Sequence, residues 1–366
     1  MDTDPSKRKV VYAVVRKRRS RQNGRALLTI RLSPTPDNIA RAAEVLRAGG
    51  LVAFPTETVY GLGARADSGD AVARIFEAKG RPATNPLIVH VTTIDEARAL
   101  ASGWSDVDEL LAKLFWPGPL TLIACVRAGA VAPAVTASGA TIALRCPRHA
   151  IATELLRAVG APIAAPSANR STTVSPTTAD LVLKTLRGRI DAVLDAGATG
   201  FGIESTIVDT TTRPATLLRP GSIALSEPAK HIEVVDRSAR VESVDTRSPA
   251  PGGYARHYAP NAHVVVVPAD VLDQTVTAAR TQYTHVGILG YGNCALHQPC
   301  SETLPDTPTG YAREFYAAMH RLEDAGCTCI IVAEPPAGDG WHAVRDRLIR
   351  AASEPQNQPA DESNKS

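Results

Sequence analysis

The chain has 366 residues, 44% of them hydrophobic and 21% charged, with a net charge of +3. That length exceeds one ordinary core, so two domains are expected, and the mixture is that of a soluble globular protein rather than a disordered or fibrous one. No apolar run approaches the ~18 residues that span a bilayer, which excludes a helical membrane protein.

The charge is unevenly placed. Lys7, Arg8, Lys9, Arg16, Lys17, Arg18, Arg19, Arg21, Arg25 and Arg31 follow one another with no acid between them. Residues 1–25 read as a flexible basic arm; a solvated tail is the plain reading, and contact with RNA phosphates the sharper one. No apolar segment suited to secretion is present.

From Ala26 onward strand and helix patterns alternate. A strand over Ala26–Leu32 leads to a helix over Asn38–Arg47, whose Ile39, Ala42, Ala43 and Leu46 recur at helical spacing before Gly49-Gly50. A buried strand follows over Leu51–Phe54, a helix over Asp70–Ala78 and a strand over Leu87–Val91. Two helical segments end at Phe115-Trp-Pro-Gly118, after which strands are expected over Leu120–Val126 and Thr141–Arg145, with a helix over Ala150–Val159. The strands over Ile163–Ala165, Ala192–Leu194, Thr206–Asp209 and Thr216–Leu218 come largely without helices between them, so the sheet is expected to be mixed.

Periodicity fades between residues 223 and 262, apart from Pro251-Gly-Gly-Tyr-Ala-Arg-His-Tyr-Ala-Pro260, and this reads as a linker. It restarts with strand His263–Pro268, helix Ala269–Arg280, strand Val286–Leu289, helix Tyr311–Ala325, strand Cys329–Ala333 and helix Trp341–Ala352. The expected organisation is an arm over 1–25, a larger α/β domain over 26–225, a linker over 226–262, a smaller α/β domain over 263–353, and a disordered tail over 354–366. The cysteines (Cys125, Cys146, Cys294, Cys300, Cys327, Cys329) form no C-x-x-C pair. Neither a zinc site nor a disulfide framework is expected, and a reducing cytoplasm is the compartment they suit.

Gly61-Leu-Gly-Ala-Arg-Ala66 fits a degenerate dinucleotide fingerprint, but it stands too far from its strand and Lys79-Gly-Arg81 occupies the place of the ribose acid. The glycines are better read as turns that let backbone approach a ligand. Phosphate-binding P-loops, zinc-protease helices and nucleophile elbows are absent from the sequence. What stands out is a set of polar residues at separate strand ends: Lys79 and Arg81 near Asn85, His90, Arg145, Ser167 with Asn169, and Arg219. Open α/β sheets gather ligands at such ends. Arginine grips planar oxyanions and lysine acts as a point charge, so the set suits phosphate and carboxylate. Paired catalytic carboxylates and a Ser-His-Asp order are lacking, which leaves positioning and charge neutralisation as the chemistry.

Phe54-Pro-Thr-Glu-Thr-Val-Tyr-Gly-Leu-Gly63, Lys79-x-Arg81, Asn85-Pro-Leu87, Trp116-Pro-Gly-Pro-Leu-Thr121, Ala165-Pro-Ser-Ala-Asn169, Ser175-Pro-Thr177, Ser205-Thr-Ile-Val-Asp209 and Leu218-Arg-Pro-Gly221 together resemble the YrdC-like threonylcarbamoyl-AMP synthases. The likeness covers residues 27–225, and Arg256-His-Tyr-Ala-Pro260 with the trailing domain resembles their two-domain members. The implied fold is a twisted, mixed, open α/β sheet with helices, followed by a smaller Rossmann-like α/β domain. The implied enzyme is a nucleotidyltransferase. L-threonine and bicarbonate give N-carboxythreonine, whose oxygen attacks the α-phosphate of ATP; pyrophosphate leaves and threonylcarbamoyl-adenylate forms. A separate threonylcarbamoyl transferase then carries the group to the tRNA adenosine beside the anticodon.

Carried over position by position, Thr58, His90, Arg145, Ala165 (through its backbone) and Ser205 would form the threonine site. Arg81, Asn85, Thr141, Ser167, Asn169, Ser175, Arg219 and the linker's Tyr258 would meet ATP, with Lys79 and Arg81 as the catalytic cations. Magnesium is expected on the ATP phosphates, with no protein carboxylate assigned to it. Gly253, Tyr254 and Ala255 depart from the family's usual Met-Lys/Arg-Tyr in the linker. The competing reading is a double-stranded RNA-binding or ribosome-assembly protein using the same basic cleft on tRNA or other RNA. Such a protein would favour aromatic stacking platforms, and only 4% of this chain is aromatic.

Overall fold

The computed structural model describes residues 28–239, 250–252, 256–293 and 299–353. The basic arm, Gly253, Tyr254, Ala255, Cys294 and the tail over 354–366 lie outside them. The first eleven strands are β1 (Ile30–Leu32), β2 (Val52–Phe54), β3 (Gly61–Arg65), β4 (Ile88–His90), β5 (Leu120–Cys125), β6 (Thr141–Arg145), β7 (Ile163–Ala164), β8 (Ala192–Leu194), β9 (Thr206–Asp209), β10 (Ala215–Arg219) and β11 (Val234–Asp236). They form one mixed sheet in the order β1-β8-β2-β3-β7-β4-β6-β5-β9-β10-β11. β3 was not expected, because its glycines disguise a strand. β11 was not either: it falls inside the expected linker, yet pairs in parallel with β10.

Helices cover the two faces of this sheet unequally. On one face, α2 (Gly69–Lys79), α3 (Ile94–Leu100), α4 (Asp106–Phe115) and α6 (Ala179–Leu186) pack on Ala53, Leu62, Val89, Leu122, Leu144 and Val208. On the other, α1 (Pro36–Arg47) and α5 (Ala150–Val159) lie over Val52, Phe54, Ile163, Ala165 and Leu194. Among the described residues, no helix lies farther along that second face, over β4, β6, β5 and β9. Ile88, Ile123, Ala143 and Ile207 form their own small apolar floor there, with Ala250 of the linker against them. Alternation along each strand does this: Val89 and Leu144 face the helices, while Ile88, His90, Ala143 and Arg145 face the gap.

Beyond α7 (Ser226–Ala229) and β11, the smaller domain has β12 (His263–Val267), β13 (Val286–Tyr291), β14 (Ser301–Leu304) and β15 (Cys329–Ala333), all parallel, in the order β12-β15-β13-β14. α8 (Leu272–Ala279) covers one face; α9 (Pro308–Asp324) and α10 (His342–Ala352) cover the other. The α9–α10 core does not stop at the domain boundary. Tyr311, Phe315, Tyr316 and Met319 share one apolar cluster with Val59, Val174 and Ile203 of the first domain and Tyr258 of the linker. At Gly202, a side chain would meet the α9 backbone at 2.5 Å, so the two domains touch backbone to backbone there.

Candidate active site

The gap in helical cover is a cleft. Its wall includes Thr56, Thr58, Arg81, His90, Arg145, Ala165, Ser167, Glu204 and Arg219, and the linker residues Pro251, Gly252, His257 and Tyr258 roof it. His90, Arg145 and Arg219 are the last residues of β4, β6 and β10, as expected of residues at separate strand ends, and the cleft extends from them across a sheet face, where side chains of one parity project. His90 and Arg145 are cross-strand partners in the β4–β6 register, which sets them side by side. Arg219 arrives by a different device. The β9–β10 register slips between Leu217 and Arg219, pairing Leu217 with Val208 but Arg219 with Ile207. This bulge spends one extra residue and turns Arg219 onto the cleft face.

Each cation is held by acceptors that fix its direction. Arg145 Nη2 lies 2.8 Å from Glu57 Oε1, an off-axis ionic contact between two buried groups. Burial pushes the Glu57 carboxyl up, but Arg145 outweighs it and the group stays below its ordinary range. Arg81 donates through Nε to Asn85 O at 3.1 Å and through Nη2 to Pro86 O at 2.8 Å. Arg219 donates through Nε and Nη2 to Ser205 O and through Nη2 to Ser205 Oγ at 3.0 Å. Burial, then Arg145, drives His90 down to about 3, so its imidazole is neutral. Thr56 Oγ1 donates to Val59 O at 2.7 Å and takes the proton of Thr58 Oγ1 at 2.8 Å. Thr58 thus turns acceptor lone pairs to the cleft. Ser167 does likewise, donating to Asn169 Oδ1 at 2.6 Å.

The linker closes the space. Tyr258, at φ +58°, is 1% exposed, and its hydroxyl has no partner among the described residues. His257 packs on its ring at a centroid distance of 4.0 Å, and burial followed by Arg81, Lys79, Arg350 and Arg347 holds that imidazole well below its ordinary value. Gly252, at φ +93°, gives the room: a Cβ there would sit 2.4 Å from the Tyr258 hydroxyl. About 40 Å³ stays free, room for a few waters and far below the ~300 Å³ of small-molecule pockets.

Of the residues singled out in the sequence, Thr58, Arg81, His90, Arg145, Ala165, Ser167, Arg219 and Tyr258 meet in this wall. Asn85, Asn169, Ser175 and Ser205 lie buried behind it. Lys79 does too: its ammonium donates to Ser167 O and Asn169 O, both at 2.6 Å, so it pins the Ser167–Asn169 turn from the rear. Burial, then Arg81 and Arg170, lowers its pKa. Thr141 stands at the opposite end of β6 from Arg145, about 13 Å of strand away, and the cleft wall does not include it. Sequence reading missed Glu57, Glu204, His257 and, from the second domain, Tyr316 and Arg347. Glu57 sits inside a segment already quoted and Glu204 immediately before another, so adjacency to Thr58 and Ser205 was the available signal.

A magnesium ion fits poorly as a protein-held group. Among the described residues no group of three or more His, Cys, Asp or Glu could hold a metal, and the nearby Glu57 and Glu204 are committed to arginines. A larger cavity, about 400 Å³, lies beside α10 near Asp339, His342 and Arg350 and is lined by none of the residues of the cleft wall. No helix of the described residues is long and apolar enough to cross a membrane.

Residues 44–221 match the family model for Sua5, YciO and YrdC, described as telomere recombination, and residues 227–353 match the C-terminal domain of threonylcarbamoyl-AMP synthase. The threonylcarbamoyl-AMP synthase of Pyrococcus abyssi is 42% identical over 321 residues, covering 85% of this chain and 93% of that protein. The same enzyme of Bacillus subtilis is 44% identical over 239 residues, covering 65% and 69%. The crystal structure of P. abyssi Sua5 complexed with L-threonine matches with a TM-score of 0.82 at 39% identity, over 89% of this chain and 97% of that one.

Proposed function

The chain belongs to the two-domain threonylcarbamoyl-AMP synthases, and from that premise we propose how its cleft divides the work of the reaction. The enzyme is a nucleotidyltransferase that makes threonylcarbamoyl-adenylate for the threonylcarbamoyladenosine modification of tRNA. L-threonine sits against β4 and β6. Arg145 takes its carboxylate, Thr58 accepts a hydrogen bond from its hydroxyl or ammonium group, and the neutral His90 and the Ala165 backbone complete the contact. ATP lies across Arg81, Ser167 and Arg219, where two guanidinium groups face the phosphates. Lys79, Asn85, Asn169, Ser175 and Ser205 hold those groups in place from behind.

The amine of threonine and bicarbonate give the N-carboxy group, with loss of water. Its oxygen attacks the α-phosphorus of ATP, and the bond to the bridging oxygen breaks as pyrophosphate leaves. Among the described residues no side chain is placed as a general base for this step, so the rate comes from alignment and from cations that meet the growing charge on the phosphates. Magnesium, carried in by ATP, would add to that neutralisation. Because the roofed cleft leaves so little space, Tyr258 and its segment move aside for substrates and return over them.

The observation that carries this division is the convergence of Arg145, Arg81 and Arg219 on one wall beside Thr58 and His90. Pyrophosphate release from ATP with threonine, with serine and with no amino acid, each with and without bicarbonate, tests it. Release that needs threonine and bicarbonate is expected. Release indifferent to both would overturn the substrate assignment, and salt-sensitive RNA binding without release would favour the RNA-binding reading.

A further inference from the structure

Helix α10 sends one side chain out of the second domain to Glu204, a residue of the cleft wall. Arg347 is fully buried, and its guanidinium is divided among three segments. Nε donates to Glu204 Oε2 at 2.9 Å, Nη2 to Pro220 O at 3.0 Å, and Nη1 to Asp346 Oδ2 at 2.5 Å. Its Cζ lies 4.6 Å from the centroid of the Tyr258 ring, within cation–π range. Glu204 also accepts from Ser175 Oγ at 2.6 Å and from Tyr316 OH, on α9, at 3.0 Å.

The places of these partners in the chain matter. Glu204 precedes Ser205, and Pro220 follows Arg219, so one guanidinium ties together the turns that carry Ser205 and Arg219. The turns are already in backbone contact: a Cβ on Gly221 would lie 2.2 Å from Thr206 N. Glu204 is itself in the cleft wall. Cohesion between the domains does not call for such a pair, since burying two charges is costly and apolar residues serve as well. The shared apolar cluster of α9 with Val59, Val174 and Ile203 already supplies that cohesion.

We propose that Arg347 is a positioning residue for adenylate formation, by which the second domain sets Glu204, the Ser205 and Arg219 turns and the Tyr258 ring around the substrates. The proposal rests on the reading of this cleft as the adenylate-forming site. It assigns the second domain a part in the chemistry of the first. Substrate meets only first-domain and linker groups, and their geometry is held from α10.

The test uses the full chain as wild type, Arg347→Met, Arg347→Lys, Glu204→Gln and the Arg347→Met/Glu204→Gln pair. Steady-state pyrophosphate release gives kcat and the KM for threonine and for ATP. Amide exchange at Phe201 and Gly202, whose N–H groups donate to Glu57 O and Thr58 O, gives a readout without turnover. Arg347→Met is expected to lower kcat/KM by about tenfold or more and to speed exchange at both amides, with β15 still protected. Arg347→Lys recovers part of the loss, since an ammonium can meet Glu204 but not Pro220 as well. Adding Glu204→Gln to Arg347→Met costs less than about twofold more, because the two act as one unit.

Unchanged kcat and KM in a folded Arg347→Met overturns the proposal, as do losses that multiply independently. If Arg347→Met loses β15 protection, Tyr316→Phe decides: it removes one donor to Glu204 and keeps the ring, and unchanged kinetics there overturn the proposal. A wild-type enzyme without threonine-dependent release overturns the functional reading instead, and the tie between the turns is then judged by amide exchange alone.

Discussion

Arg145, the cation facing the threonine carboxylate in the proposed reaction, already has Glu57 2.8 Å from its Nη2. Both side chains are buried, so the pair enters the cleft as a preset dipole and not as a bare charge. Arg145→Met is expected to raise the KM for threonine by about tenfold or more and to cost about 3 kcal/mol of stability, because Glu57 is left without its counter-charge. Adding Glu57→Gln restores the melting temperature but not the KM. Thermal melts beside threonine titrations check this, and recovery of activity in the pair would sink the carboxylate assignment.

Lys79 and Arg81, two residues apart, are expected to behave differently. Lys79 holds the carbonyls of Ser167 and Asn169, and its loss leaves buried acceptors unpaired. Lys79→Ala should therefore lower both the melting temperature and turnover. Arg81→Ala should lower turnover by about tenfold or more with the smaller thermal loss of the two. Equal thermal losses would mean that Arg81 is as structural as Lys79.

Gly252 and Tyr258 give a test of the roof. Gly252→Ala places a methyl group 2.4 Å from the Tyr258 hydroxyl at a φ of +93°, so the segment cannot reseat. The KM for ATP should rise by about tenfold, and the chain should be cut faster near residue 252 by protease. Tyr258→Phe removes a hydroxyl that has no partner among the described residues, so it should melt no lower than wild type. A marked drop in its melting temperature would show that the hydroxyl is satisfied within the protein.

Stability should depend on pH through buried imidazoles. Burial lowers His90 to about 3 and His320, where Lys184 adds to the effect, to about 4; His257 is lowered well below its ordinary value. A histidine whose folded pKa is depressed favours the folded state fully above its unfolded value near 6.5 and loses that contribution as pH falls through the folded value. Each adds a slope of up to ~1.4 kcal/mol per pH unit. The melting temperature should therefore fall steadily from about pH 6.5 towards pH 4, and His320→Gln should flatten the fall. A profile flat over that range, or unaltered by the substitution, would count against neutral burial.

Much of this was legible in the sequence. Thr141–Arg145, Ala192–Leu194, Thr206–Asp209 and Cys329–Ala333 are strands with the bounds that apolar runs and turn residues imply. The wall residues from Thr58 to Tyr258 were legible too, because they stand in ordered motifs. Location was harder. Ile88-Val-His90 and Ala143-Leu-Arg145 carry the alternation that turns His90 and Arg145 to an uncovered sheet face, but only the sheet order shows that no helix covers it. Lys79 illustrates a second limit: nothing local says whether an ammonium meets phosphate or two carbonyls some ninety residues away. Arg347 had no signal at all, since Glu204 and Pro220 lie more than a hundred positions upstream and one helix supplies the buried Asp346, Arg347 and Arg350 among ordinary surface-like residues.

The slip in register between Leu217 and Arg219 makes the side on which that arginine emerges a matter of counting. In a regular ladder Leu218 would pair with Ile207 and Arg219 with Thr206. Arg219 would then fall into parity with Leu217 and Ala215, among the packed helices on the far side of the sheet. A frame of one residue, and no particular side chain, is what this part of the enzyme inherits and must preserve.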